Sequence, residues 1–238
     1  AMIAAEKSNL NFKKIVNTIS KINPVNGRLE KVGSISNKSS VILDYAHTPD
    51  ALKTCLQNLK EQFKDKKVSI VFGCGGGRDQ SKRPIMGRIV NYYCDKIYLT
   101  DDNPRFENPK KIRLKIKKFI NSRKLIENPS REKAISNAIL NLNSGEILLI
   151  AGKGHEENQD YGSFVKKFSD KKIILKYIKK KNKNLSKHWK TNILIEEINK
   201  KIPLNSIIDK ASINSKDLKK NDIFFAIKGK KNDGNKFV

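Results

Sequence analysis

Cysteine is scarce in this chain: Cys55, Cys74 and Cys94 form an odd, widely spaced set with no CxxC pair. That pattern argues against a zinc or disulfide framework and for a reducing, cytoplasmic setting. No apolar run approaches the roughly 20 residues that span a bilayer, and no charged-then-apolar signal segment opens the chain. No membrane partner is expected. Histidine is equally rare, and no second histidine lies near His155 to suggest a metal. No Ser-His-Asp or Cys-His arrangement is legible. Basic residues outnumber acidic ones, 50 to 24, for a net charge of +26. Phosphate neutralisation, and so nucleic-acid binding, is the sharp reading of that charge. Yet the lysines are spread along the chain beside abundant Asn and Ile, and arginine is scarce. AT-rich coding explains that joint bias better, and no nucleic-acid partner is expected. A basic surface still favours polyanionic small substrates such as nucleotides.

The hydrophobic fraction, 37%, is low but sufficient for a core, because the apolar residues are grouped. Val41-Ile42-Leu43, Val68–Phe72, Ile97-Tyr98-Leu99 and Glu146–Ala151 are β-prone runs too short for helices. Between them lie helical patterns: one presenting Leu52, Cys55, Leu56 and Leu59, then Pro84–Tyr93, Lys110–Ile120 and Arg131–Leu142, with a short edge segment at Leu125-Ile126. Thr48 is placed to cap the first of these, with Pro49 at its first position. Strands alternating with helices predict an α/β fold with a doubly wound, mostly parallel, Rossmann-like sheet. All four strands run into polar or glycine-rich loops, which should gather on one edge, where such sheets bind ligands.

The flanks read differently. Ala1–Ala5 resembles the tail of a helix already under way, and a helix with Phe12, Ile15, Val16 and Ile19 on one face follows. Residues 1–31 therefore read as the end of a domain, 32–180 as the main domain and 181–190 as a lysine-rich linker carrying His188 and Trp189. Residues 191–238, with the strand Asp222–Ile227, read as the start of a second, truncated α/β domain.

The loops carry the chemistry. Thr100-Asp101-Asp102-Asn103-Pro104-Arg105 follows a buried strand, and its acid and arginine suit a ligand bearing both an ammonium and a carboxylate. Pro104 stiffens that loop. Gly73–Gly77 lacks the Gly-Lys-Ser/Thr of a Walker A loop; its glycines permit close backbone approach and Arg78 adds a fork. Gly152-Lys153-Gly154-His155-Glu156 is a second such loop.

Five motifs in one order, Gly27-Arg28-Leu29-Glu30, Asp44–Asp50, Phe72–Asp79 with Lys82-Arg83-Pro84, Thr100–Arg105 and Ala151–Glu156, resemble the carboxyl-terminal domain of the Mur ligases over about residues 1–180. The form of Asp102-Asn103-Pro104-Arg105 is that of the diaminopimelate-adding (MurE) members. The tail, with Ser212–Lys216 and Asp222–Gly229, is similar to the start of the D-alanyl-D-alanine-adding (MurF) members, although Asn214 and Lys216 stand where an Asp-Ser-Arg form is usual.

The resemblance implies a segment of an ATP-dependent peptide ligase of peptidoglycan synthesis, from a MurE–MurF fusion. It would add meso-diaminopimelate to UDP-MurNAc-L-Ala-D-Glu. Diaminopimelate would be held by Arg78, Asp102, Asn103, Pro104, Arg105, Gly152 and Glu156; the nucleotide would meet Arg28 and Asp44, and Ser215 would face UDP in the tail. Lys153 and His155 are read as shaping their loop. The resemblance assigns ATP and Mg2+ mainly to a central P-loop domain, of which residues 1–31 would be the end. The chain alone is therefore expected to be inactive, with the missing domains of the same polypeptide as partners. A lysine-adding or other Mur-type ligase is the first alternative, and a basic nucleic-acid-binding protein the second.

Overall fold

The computed structural model describes residues 7–8, 10–19, 25–198, 210–212 and 222–224. In chain order its elements are α1 (Phe12–Ile19), β1 (Glu30–Ser34), β2 (Ser40–Asp44), α2 (Pro49–Gln62), β3 (Val68–Phe72), α3 (Lys82–Tyr93), β4 (Lys96–Leu99), α4 (Pro109–Lys117), β5 (Leu125–Glu127), α5 (Arg131–Leu140), β6 (Ile147–Ala151), β7 (Asn158–Asp160), β8 (Val165–Lys167), α6 (Asp170–Ile198), β9 (Lys210–Ser212) and β10 (Asp222–Phe224). The main sheet has the order β1-β2-β6-β3-β4-β5. β1 is antiparallel to β2, and the other neighbours in that sheet are parallel.

The strands read as continuous apolar runs because both faces of the sheet are covered. Side chains alternate between two cores. Ile42, Ile70, Phe72, Ile97, Leu99 and Leu149 pack against α2, α3 and α4, through residues such as Leu56, Met86 and Ile116. Val41, Leu43, Val71, Tyr98, Leu148 and Ile150 pack against Ile135 and Ile139 of α5 and Ile174 and Ile178 of α6. Each fully buried Leu or Ile contributes about 1.5–3 kcal/mol of transfer free energy.

The connections β2–β3, β3–β4 and β4–β5 all advance one way across the sheet, and their helices share one face. The return from β5 to β6 reverses direction and puts α5 on the other face, as right-handed crossovers require. The caps are local. Thr48 Oγ1 accepts the Ala51 N–H at the start of α2, Asn108 accepts the Lys111 N–H at α4, and Ser130 accepts the Lys133 N–H at α5.

One expectation changes, one element is new, and one expected strand lies partly outside the described residues. The segment 181–190, expected to be a linker, is helical within α6. Lys181 is buried, and its ammonium donates to the carbonyls of Ile139, Leu140 and Leu142, closing the carboxyl end of α5. With Leu185 packed on the α5 side of the sheet, the body continues past residue 180. The lysine run hid a helix face whose apolar members recur at Ile174, Ile178 and Leu185. Secondly, the hairpin β7–β8 has no expected counterpart, because its strands are short and polar. Thirdly, the strand expected over Asp222–Ile227 is described only at 222–224, where it pairs in parallel with β9. Ser215 lies outside the described residues.

Candidate functional site

The parallel strands β2, β3, β4 and β6 all end on one edge, and β6 lies between β2 and β3. That order brings the loop after β6 against the loops after β2 and β4, although they are far apart in sequence. Gly76 and Gly152 are two of the glycines that permit close approach between these loops. A Cβ on Gly76 would lie 1.9 Å from the Pro104 carbonyl oxygen, and one on Gly152 would lie 2.6 Å from Asp102 Oδ2. Gly152 also has φ +113°, a backbone region that disfavours side chains.

Around these contacts lies an open cleft of about 510 Å³. Arg78, Lys82 and Arg105 bring positive charge to its wall, Asp102 and Glu156 negative charge, and Asn103 an amide. Tyr45, His47 and Ile85 complete one side. Both signs of charge in one cleft fit a zwitterionic ligand better than a simple anion.

Under the cleft is a floor of buried cations. Lys153 is fully buried and donates to Asn103 Oδ1 at 2.8 Å and Glu156 Oε2 at 2.7 Å. The Asn103 amide donates to the same Glu156 oxygen at 2.9 Å. Burial alone would raise the Glu156 carboxyl, but Lys153 and Asn103 more than offset it and hold it below the usual glutamate range.

Arg83, fully buried, forms a fork with Glu107 at 2.9 and 3.0 Å and donates to the Gly75 carbonyl at 3.2 Å. Glu107 in turn accepts the Gly77 N–H. The glycine loop and the loop after β4 are thus clamped together. Arg131 spans Asp170 at 2.7 and 2.8 Å and the Ala151 carbonyl at 3.0 Å. Its Nη1 lies 3.7 Å from Asp102 Oδ2. Burial would lower the Arg131 guanidinium, but the Asp170 carboxylate beside it raises it instead.

The expected residues separate into groups. Arg78, Asp102, Asn103, Arg105, Gly152 and Glu156 line the cleft together. Pro104 does not: it is buried, and its carbonyl accepts the Glu107 N–H, so it shapes the loop. Asp44 is turned inward, its carboxylate accepting the Leu29 and Ala46 N–H groups at 2.7 Å each. Arg28 is exposed, its guanidinium 4.7 Å above the Tyr45 ring, with His155 and His47 on the same ring. Sequence reasoning missed the floor of Arg83 and Arg131 and understated Lys153. A long cation beside an apolar strand reads as surface unless its buried partner is known. The cysteines take no part: burial pushes the Cys55 and Cys74 thiols up to about 12.

A family model for the Mur ligase glutamate ligase domain matches residues 27–154, more than half of the chain. The chain belongs to the Mur ligase family. The relatives include a UDP-N-acetylmuramoyl-L-alanyl-D-glutamate--2,6-diaminopimelate ligase from Rickettsia typhi, 44% identical over 170 residues, covering 70% of this chain and 33% of that protein. A protein of the same name from Buchnera aphidicola subsp. Schizaphis graminum is 43% identical over 174 residues, covering 73% and 35%. A solved structure of a ligase with that name matches at TM-score 0.61 and 34% identity, covering 75% of this Mur ligase chain and 37% of its own. A UDP-N-acetylmuramate-alanine ligase from Thermotoga maritima, TM-score 0.54 and 14% identical, covers 77% and 36% and shares the fold. The chain spans about a third of the length of the curated relatives it matches.

Proposed function

We propose that this Mur ligase domain holds meso-diaminopimelate while its amine is joined to the D-glutamate carboxylate of UDP-MurNAc-L-Ala-D-Glu in peptidoglycan synthesis. One observation carries the reading: a single cleft lined by Arg78 and Arg105 and by Asp102 and Glu156. Diaminopimelate has an amino acid at each end, so it offers carboxylates to two arginine forks and ammonium groups to two acids. Lysine has the second amine without the second carboxylate and would leave one fork unused. The names of the relatives point the same way.

Mur ligases are ATP-dependent and need magnesium. When bound, ATP supplies the phosphoryl group that turns the accepting carboxylate into an acyl phosphate, which the amine attacks with loss of phosphate and a proton. Among the described residues no group of three His, Cys, Asp or Glu side chains is placed to hold a metal. We assign Mg2+ to none of them and place phosphoryl transfer in domains beyond this segment. The exposed face of Arg28, Tyr45, His47 and His155 beside the cleft suits a nucleotide through stacking and charge. The chain's own contribution is positioning: immobilising the amine component turns a bimolecular encounter into an oriented one. Such a role belongs in the cytoplasm, and among the described residues no helix is long and apolar enough to cross a membrane.

Calorimetric titration with meso-diaminopimelate, beside lysine and an Arg105→Ala variant, tests the reading. Diaminopimelate should bind, lysine should not match it, and the variant should lose it. Equal binding of lysine would favour the lysine-adding alternative. Binding of neither, with DNA affinity falling steeply with salt and indifferent to loop mutations, would favour the nucleic-acid reading.

A further inference from the structure

The hairpin β7–β8 stands outside the main sheet, yet it is fastened to the loop after β4. Gln159 Nε2 donates to the Asp102 carbonyl at 2.8 Å and faces the Asp101 carbonyl at 3.3 Å. The Asp160 N–H donates to Asn103 Oδ1 at 3.0 Å, and the Asp160 carbonyl accepts the Arg105 N–H at 3.0 Å. Asp160 therefore touches two residues of the cleft through its backbone alone. Its carboxylate is itself held, since Oδ1 accepts the Gly162 N–H at 2.8 Å. The other oxygen, Oδ2, lies 3.6 Å from Arg105 Nε.

Arg105 needs such support. It adopts φ +51°, which is uncommon for a residue with a side chain. Its guanidinium is held at two points: Nη1 donates to the Gly76 carbonyl at 2.7 Å, and Nε faces Asp160. Those contacts leave Nη2 and the second Nη1 proton for a ligand in the cleft that Arg105 lines. An arginine free at every torsion loses more freedom on gripping a carboxylate than one already held.

We propose that Asp160 is a positioning residue that fixes Arg105 before substrate arrives, and so sets the preference for an amino acid carrying a second carboxylate. The inference rests on the reading above that Arg105 holds that carboxylate. Asp160 acts through Arg105 and does not touch the ligand.

The test is Asp160→Asn, which keeps an oxygen for the Gly162 N–H and the backbone bonds while removing the charge. Nuclear magnetic relaxation of the Arg105 Nε–H in the unliganded chain reads the bracing directly: rigid in the unaltered chain, mobile in the variant. In titrations the variant's Kd for meso-diaminopimelate should rise about fivefold while that for lysine stays within about twofold. In an Arg105→Ala background the same substitution should change neither. An Arg105 Nε–H equally rigid in both proteins would overturn the proposal, as would equal losses for both amino acids. Failure of the unaltered chain to bind diaminopimelate would count against the functional reading, and the relaxation comparison would still decide whether Asp160 fixes Arg105.

Discussion

Arginines on the floor of the cleft and arginines on its rim have the same side chain and opposite fates. Arg83 and Arg131 are 0% and 1% exposed and are engaged mainly by protein partners, Glu107 and Gly75 for one, Asp170 and Ala151 for the other, while Arg83 Nε and Arg131 Nη1 are buried without a hydrogen bond. Arg78 is exposed, and Arg105 keeps part of its fork open to the cleft. Burying a charge is costly unless it is paired, and the Glu107 and Asp170 carboxylates offset that cost, so the floor arginines chiefly set geometry. Those on the rim stay solvated, contribute little to folding and remain available. One residue type thus forms two layers, a buried one that holds the loops together and a solvated one that the proposed function assigns to recognition.

The division can be broken from below. Arg131→Ala leaves the Asp170 carboxylate buried without its partner and should cost about 3–5 kcal/mol in urea unfolding; a loss under about 1 kcal/mol would show that the floor is not structural. Gly152→Ala comes next. The added methyl meets Asp102 at a backbone angle that resists it, so a loss of about 1–3 kcal/mol together with weaker diaminopimelate binding is expected. If both quantities stayed unchanged, the two loops would not be in contact.

From above, the outcome should invert. Arg105→Ala should move unfolding by less than about 1 kcal/mol yet weaken diaminopimelate at least about tenfold. Destabilisation as large as that of Arg131→Ala would erase the contrast between rim and floor.

The smallest effect is a dependence on pH at the boundary between the layers. Glu156 titrates below the ordinary value of 4.5 because Lys153 and Asn103 offset its burial. A carboxyl lowered by folding stabilises the native state above its unfolded value, and that contribution fades as pH falls through the folded one. Unfolding midpoints followed from neutral pH to below 4.5 should therefore decline less in Glu156→Gln than in the unaltered chain; parallel curves would remove Glu156 from the account.

Much of this was readable in the sequence, for reasons particular to each element. Val68–Phe72 and Ile147–Ala151 are short, uninterrupted and apolar, and nothing but a covered strand fits them. α2 announced itself by Thr48, Pro49 and the spacing of Leu52, Cys55, Leu56 and Leu59. That the rim residues share one cleft was legible because their loops all follow parallel strands, whose carboxyl ends gather on one edge. α6 was not, since its lysines masked the apolar face, and neither was Lys181, whose partners lie on another helix. The bracing role of Asp44, whose carboxylate accepts the Leu29 and Ala46 N–H groups, was not legible either, since one of its partners lies 15 residues away.

The chain by itself determined where the central strands and the helices between them lie, which loops hold polar groups and the charge each brings, because those depend on spacing and composition over a few residues. Only the tertiary structure decided which charges line the cleft and which are buried beneath it. That choice follows from β6 entering between β2 and β3, which lays Gly152 against Asp102 and puts Lys153 beneath Asn103. No local pattern encodes the pairing: its partners are brought together by the order of strands in the sheet, and burial then decides their roles.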